Sequence, residues 1–212
     1  MCRLLYIKSR KLFQIPYHLH IFAGIARNSK EYQGHGWGLA YIQRGEWKHY
    51  RNINPVWEDN LDQFGETDLI LAHARSAFQD RDIAIENNMP FYDDRYVFIF
   101  NGELHGVKIN AAGRIGAEKI FNFIKRFNHG NMAQAIIRAR AIIEKRSNYI
   151  RAMNLIIADR DTASVASMFN EEEEYFTMYY KESSDGVIIC SEKYPDGHKW
   201  LALENRSVRV FQ

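Results

Sequence analysis

Cysteine is scarce: Cys2 and Cys190 are the only two in 212 residues. Two thiols exclude a disulfide-held secreted scaffold and point to a reducing compartment. Proline is thin as well, with Pro16, Pro55, Pro90 and Pro195 scattered singly, so no Pro-rich linker divides the chain. No apolar run approaches the ~18 residues of a membrane helix. The opening stretch MCRLLYIKSRKLFQ interrupts its few apolar residues with Lys8, Arg10 and Lys11, which excludes a signal-peptide core. Neither sign of charge dominates: 28 Lys and Arg against 26 Asp and Glu leave +2, without the larger basic excess or basic block that a strong grip on nucleic acid usually shows, an unevenly charged surface with a local basic patch being the alternative. The eight histidines show none of the tight, repeated Cys/His spacing of a metal site. These absences set the expectation of a cytoplasmic protein with no membrane contact, no nucleic-acid partner, no metal and no cofactor.

Hydrophobic residues make up 46% and charged residues 25%, the balance of a soluble globular protein. The length suits a single domain over 1–212, with enough chain to bury a core without staples. Short segments rich in β-branched and aromatic residues predict strands at 2–7, 36–43, 68–72, 96–100, 153–158, 163–169, 175–181, 186–191 and 207–211. Helical spacing of apolar residues runs from Glu118 through Ile120, Phe123, Ile124 and Phe127. A second such run goes from Met132 through Ala135, Ile136, Ala139, Ile142 and Ile143, with Asn131 placed as its N-cap. Residues 17–28 predict a third helix. The four glutamates at 171–174 read as a solvated turn between strands or as a binding tail. Helices grouped between runs of strands predict an α+β fold with stacked sheets rather than a doubly wound parallel one.

Four places could carry chemistry. Cys2 follows Met1, and a small residue at position 2 permits removal of that methionine. Cys2 would then carry a free α-amine beside its thiol. A thiol of pKa ~8.5 is mostly protonated at neutral pH, while an α-amine of pKa ~7.7–8.0 is partly neutral and can serve as base. Nucleophile and base then share one residue; the alternative is a cysteine with no catalytic part. A papain-like pair fits less well, because there the cysteine opens a helix and Cys2 opens an apolar strand. In LILAHARSAF, His73 and Arg75 fall on one side of a strand end, with Ser76 next to them. The planar fork of Arg75 suits a carboxylate, either a substrate's or that of a surface salt bridge.

FNGELHG, at 100–106, follows a strand. Asn-Gly there is a hairpin-turn signal. The alternative reading is an oxyanion hole, Asn101 donating its amide and Gly102 its backbone N–H. GHGWGLAYI, at 34–42, lacks the GK[ST] ending of a phosphate loop and the spacing of a dinucleotide site. Trp37 within it is either core or the floor of a pocket. Cys190 reads as a small buried hydrophobe. Residues 44–66 are a candidate lid or an ordinary surface excursion.

In order along the chain, MCRLL, GHGWGLAYI, LAHARSA, ENNMPF with FNGELHG, GRIGAEKIF and SEKYPDGHKWLAL resemble the segments of the class II glutamine amidotransferases. These are hydrolases of the N-terminal-nucleophile type, and the likeness is strongest to their small stand-alone branch of glutamine amidotransferases and γ-glutamyl amidohydrolases. The resemblance implies a four-layer αββα sandwich of two mainly antiparallel sheets. It implies that Cys2 attacks the side-chain amide of glutamine or a γ-glutamyl compound, that Asn101 and Gly102 hold the oxyanion, and that Arg75 grips the substrate carboxylate, with His73, Ser76 and Trp37 lining the site. Three positions depart from the family pattern. Gly116 stands where an Asp contacts the substrate amine, His35 where an Asp precedes GWG, and Met89 where a His precedes Pro-Phe. A lost charged hydrogen bond is worth roughly 1.5–3 kcal/mol, so plain glutamine is expected to be a poor substrate unless Glu103 or Glu118 substitutes. The expected partner is therefore a small-molecule amide. A separate synthase subunit that consumes the ammonia, a homodimer, and a non-catalytic binding module on the same fold remain alternatives.

Overall fold

The computed structural model describes residues 1–212, the side chain of Asp80 apart. In chain order the elements are β1 (Arg3–Gln14), α1 (Ile15–Arg27), β2 (Trp37–Gln43), β3 (Glu46–Asn52), β4 (Glu66–Ala74), β5 (Phe91–Tyr92), β6 (Val97–His105), α2 (Gly116–Lys125), α3 (Met132–Lys145), β7 (Tyr149–Ala158), β8 (Ala163–Ser167), α4 (Glu173–Phe176), β9 (Tyr179–Ser183), β10 (Gly186–Cys190), β11 (Leu201–Ala202) and β12 (Ser207–Phe211). Single 3-10 turns fill parts of the stretches between β3 and β5. No helix is long and apolar enough to cross a membrane among the described residues. The chain divides into two compact units, each built on one antiparallel sheet.

The first unit comprises Met1–Pro90 and Met178–Leu203. Its seven strands run in the order β11-β9-β10-β1-β4-β2-β3. β1 lies between β10 and β4, which explains why its first half, Arg3 to Ile7, is buried at successive positions rather than alternating. α1 carries Pro16 in its first turn, where the missing N–H costs nothing. Its buried Ile15, Leu19, Phe22 and Ala26 repeat at helical spacing and join Trp37, Val56, Leu61 and Phe64 in one core. The segment between β3 and β4 is fastened there by Asp59. The Asp59 Oδ2 accepts from Trp37 Nε1 at 2.8 Å, Tyr50 OH at 2.8 Å and Asn52 Nδ2 at 2.7 Å. Of the 44–66 region, then, 46–52 is a sheet strand, and Asp59 ties the segment after it to β2 and β3.

The second unit comprises Phe91–Thr177 and Glu204–Gln212. Its sheet has the order β12-β8-β7-β6-β5. α2 buries Ile120, Phe121, Phe123 and Ile124, and the Phe121 ring stacks on Phe98 of β6 at 4.9 Å. α3 buries Met132, Ala135, Ile136, Ala139 and Ile143. Asn131 caps it, its side chain accepting from Gln134 N–H at 3.0 Å.

The α+β reading with two antiparallel sheets holds. One local expectation does not. The strand expected from 175 begins only at Tyr179, because residues 173–176 close a helical turn instead. Asn154 of β7 holds the Phe176 carbonyl at 2.7 Å, and Tyr175 and Phe176 are buried. The four glutamates do lie on the surface between β8 and β9, Glu171, Glu173 and Glu174 being exposed; Glu171 accepts from Tyr149 OH, Glu172 pairs with Arg151, and Glu173 and Glu174 begin α4.

Candidate active site

Strand pairing sets the position of Cys2. Arg3 pairs with Ala74, so the register of β1 on β4 brings Cys2 to the loop that follows β4. The Cys2 Sγ lies 3.4 Å from the Ser76 N–H and 3.6 Å from the Ser76 carbonyl, as acceptor of the first and donor to the second. Ser76 thus acts through its backbone. Cys2 is only 9% exposed. Burial pushes its thiol above the ordinary range, against the pull of the chain's terminal ammonium, the Ser76 N–H and Arg75, with Glu31 adding to the rise. Cys190, by contrast, is fully buried and its thiol is pushed up to about 12 by the same desolvation, as suits an inert core residue.

The loop that cradles Cys2 is itself held in place. Arg75 N–H donates to Gly36 O at 2.9 Å and His35 N–H to Arg75 O at 3.1 Å, which extends the pairing of β2 with β4 beyond both strands. The His35 Nδ1 accepts from Ala77 N–H at 2.9 Å. His35 therefore does structural work one step from the thiol. Gly36 has φ +101° and no room for a Cβ beside Asn88 and the Asn52 carbonyl, so only glycine fits there. The Arg75 guanidinium is buried. It donates to Asp82 O at 2.8 Å and Asn88 Oδ1 at 3.2 Å, and so pins the 82–88 loop. His73 lies inside the sheet, paired with Leu4 and Gly38, and is 0% exposed. Trp37 is equally buried and belongs to the core, its one polar atom given to Asp59.

Sequence reasoning missed the clasp on the chain start. The Met1 ammonium pairs with Glu31, and Gln33 Nε2 donates to the Met1 carbonyl. Arg3 donates to Ser29 Oγ at 3.1 Å and to Ser191 O at 3.2 Å. Nothing in composition or spacing singles out Glu31, Gln33, Ser29 or Asn88. They come together through the fold alone.

In the second unit, Asn101 and Gly102 do not make the hairpin turn that Asn-Gly suggests. They lie within β6, opposite Asn154 and Met153 of β7. Cross-strand pairing over nine residues of β6 overrides the local turn preference. A Cβ on Gly102 would collide with the Ala152 carbonyl and the Phe100 ring. Asn101 is 0% exposed, and neither its amide nitrogen nor its oxygen has a partner among the described residues. Gly116 opens α2 with open space around it. Both acids named as substitutes for the missing Asp are already engaged: Glu118 by Arg114, and Glu103 by His105 at 2.8 Å and Arg151 at 3.0 Å. No group of three or more His, Cys, Asp or Glu that could hold a metal occurs among the described residues.

No family model matches the sequence, and no curated protein matches it. Solved structures do. A glutamine aminotransferase class-II domain protein from Silicibacter pomeroyi superposes with TM-score 0.64 at 17% identity, over 99% of this chain and 94% of that one. A protein described as a predicted glutamine amidotransferase from Pseudomonas aeruginosa gives 0.63 at 14% identity, over 99% and 97%. Glutamine phosphoribosylpyrophosphate amidotransferase from B. subtilis gives 0.64 at 12% identity, over 90% of this chain and 42% of that one. The chain therefore has the fold of the class II glutamine amidotransferase domain.

Proposed function

We propose that the protein is a cysteine-dependent amidohydrolase acting on the side-chain amide of glutamine or of a γ-glutamyl compound. The observation that carries the reading is Asn101, a fully buried carboxamide with no partner among the described residues. Such a group costs roughly 1–3 kcal/mol when left unsatisfied, and a catalytic role is one of the reasons for which it is kept. A preorganised N–H donor in a dry site is what a developing oxyanion needs.

In this reading Met1 is removed first. The thiol is mostly protonated at neutral pH, because burial raises its pKa, so attack needs a base. The new Cys2 α-amine takes the thiol proton as sulfur bonds to the amide carbon. The family resemblance assigns the oxyanion to Asn101 and Gly102. The amine then gives its proton to the leaving nitrogen, which departs as ammonia or an amine, and a glutamyl thioester remains. Water attacks the thioester, its proton passes through the same amine to the sulfur, and glutamate is released. Arg75 acts in this scheme first by fixing the 82–88 loop.

The test is intact mass before and after exposure to a diazo-ketone analogue of glutamine. The expected result is loss of Met1 and a single adduct mapping to Cys2, absent in Cys2→Ala. That variant should fold normally and lose activity by on the order of 10⁴-fold. Hydrolysis that persists in Cys2→Ala would sink the proposal. One observation favours a second reading, a non-catalytic module: Met1 is held at both its amine and its carbonyl. Met1 retained in protein from a host that normally removes it, with no adduct, would decide for that reading.

A further inference from the structure

The charge of +2 is the sum of two unlike parts. Residues 107–146 hold nine Lys and Arg against two Glu, while the other 172 residues hold nineteen against twenty-four acids. The basic part builds α2, α3 and their flanks. Both helices turn their apolar positions into the unit's core, which leaves the cations outward. Lys119 and Arg126 are seven residues apart, as are Arg138 and Lys145. Two helical turns separate each pair by about 10.5 Å on one face. Lys108 and Arg146 join the ends, Lys108 N–H donating to Arg146 O at 2.8 Å.

Counter-charges do not cover this face. Glu118 takes Arg114, Asp93 takes Lys125, and Glu144 is taken by Arg206. Lys108, Lys119, Arg126, Arg138, Lys145 and Arg146 are exposed, and none has an acidic partner among the described residues. A basic sequence alone does not produce this. Residues 1–30 hold six Lys and Arg and no acid, yet Arg3, Lys8 and Lys11 are paired with Glu192, Asp68 and Asp185.

The composition of the face selects the occupant. Protein interfaces are centred on apolar and aromatic residues and are poor in Lys; here the one large exposed apolar residue on the two helices is Ile137, at 37%. A membrane-surface helix needs its apolar face free for lipid, and both apolar faces are spent on the core. Neither helix exposes an aromatic ring on which a base could stack. What remains is recognition of phosphate charge without base readout. We propose that the α2–α3 face binds the phosphodiester backbone of a nucleic acid, independently of its sequence and of the reaction proposed for Cys2.

The test is fluorescence anisotropy with 20-base-pair RNA and DNA duplexes of arbitrary sequence, between 50 and 200 mM salt. Binding of either duplex is expected, with log K falling against log salt at a slope of roughly −3 to −5, since up to six cations replace counterions at about 0.9 each. The triple variant Lys119→Glu, Arg138→Glu and Lys145→Glu should weaken binding at least tenfold and flatten the slope. Circular dichroism confirms that it folds, and Arg44→Glu, exposed in the first unit, should leave binding unchanged. Three results would overturn the proposal: neither duplex binds at 50 mM salt, binding survives the triple variant, or phosphatidylserine vesicles bind more tightly than both duplexes.

Discussion

Strands β6 and β7 each carry a fully buried asparagine on the same rung of the ladder, Asn101 opposite Asn154. Their surroundings differ completely. Asn154 gives its amide to Phe176 O at 2.7 Å and accepts Met168 N–H at 2.9 Å. Asn101 has no partner at either atom among the described residues. One strand uses its carboxamide to join chain segments, and the neighbouring strand buries the same group without structural return. Stability alone therefore explains Asn154 and does not explain Asn101.

The sharpest way to break this comparison is to replace Asn101. Asn101→Leu removes the proposed oxyanion donor and should lower kcat by about 10²–10³-fold. Stability should move by less than ~1 kcal/mol, because an apolar side chain removes an unsatisfied group rather than a bond. Urea unfolding beside steady-state kinetics reads both numbers. A large loss of stability with activity intact would make Asn101 a structural residue and remove the support for the proposed reaction. Asn154→Leu should show the opposite split. It strands the Phe176 carbonyl and the Met168 N–H and should cost about 3 kcal/mol, at roughly 1–3 kcal/mol for each buried group left unpaired. Loosening of α4 should appear in hydrogen exchange at Tyr175 and Phe176.

The same rung shows what the sequence could and could not tell. α3 was legible to its cap, because apolar periodicity and Asn131 are local signals that agree with each other. β1 was legible from Cys2 onward as an apolar strand, although its continuation through Lys8 to Gln14 was not, since that half is held by pairing rather than by composition. Asn-Gly at 101–102 carries two local meanings, and only the long-range register of β6 on β7 selects the strand. The end of α4, Tyr175 and Phe176, reads as strand in the sequence for a related reason: its anchor, Asn154, lies 22 residues upstream of Phe176. The surroundings of Cys2 came half from motif and half from fold. Ser76 and Arg75 were named, but the backbone contact of Ser76 and the clasp of Glu31 and Gln33 on Met1 need coordinates.

The first unit offers a satisfied polar centre to set against Asn101. Burial alone would raise the Asp59 pKa, yet the bonds from Tyr50, Asn52 and Trp37 outweigh it and hold the carboxyl below its usual 3.8. A folded pKa below the unfolded one contributes stability that is present above pH ~4 and is lost as pH falls through the folded value. Asp59→Asn should therefore cost about 1–3 kcal/mol near neutral pH and less at pH 3, as the carboxyl of the parent protein begins to take up its proton. Thermal unfolding of both proteins at pH 7 and pH 3 measures the difference. A cost that stays equal at the two pH values would show that the carboxylate charge is not what holds the segment between β3 and β4.

The smallest effect completes the contrast within one residue type. Asn131 is exposed and caps α3 by accepting Gln134 N–H at 3.0 Å. Asn131→Ala should cost about 1 kcal/mol with activity unchanged. An exposed asparagine with one bond would then matter more to stability than a fully buried one with none. Burial of a polar group thus has no fixed sign in this protein. The sign follows from whether the chain itself supplies the partner, and for Asn101 none stands among the described residues.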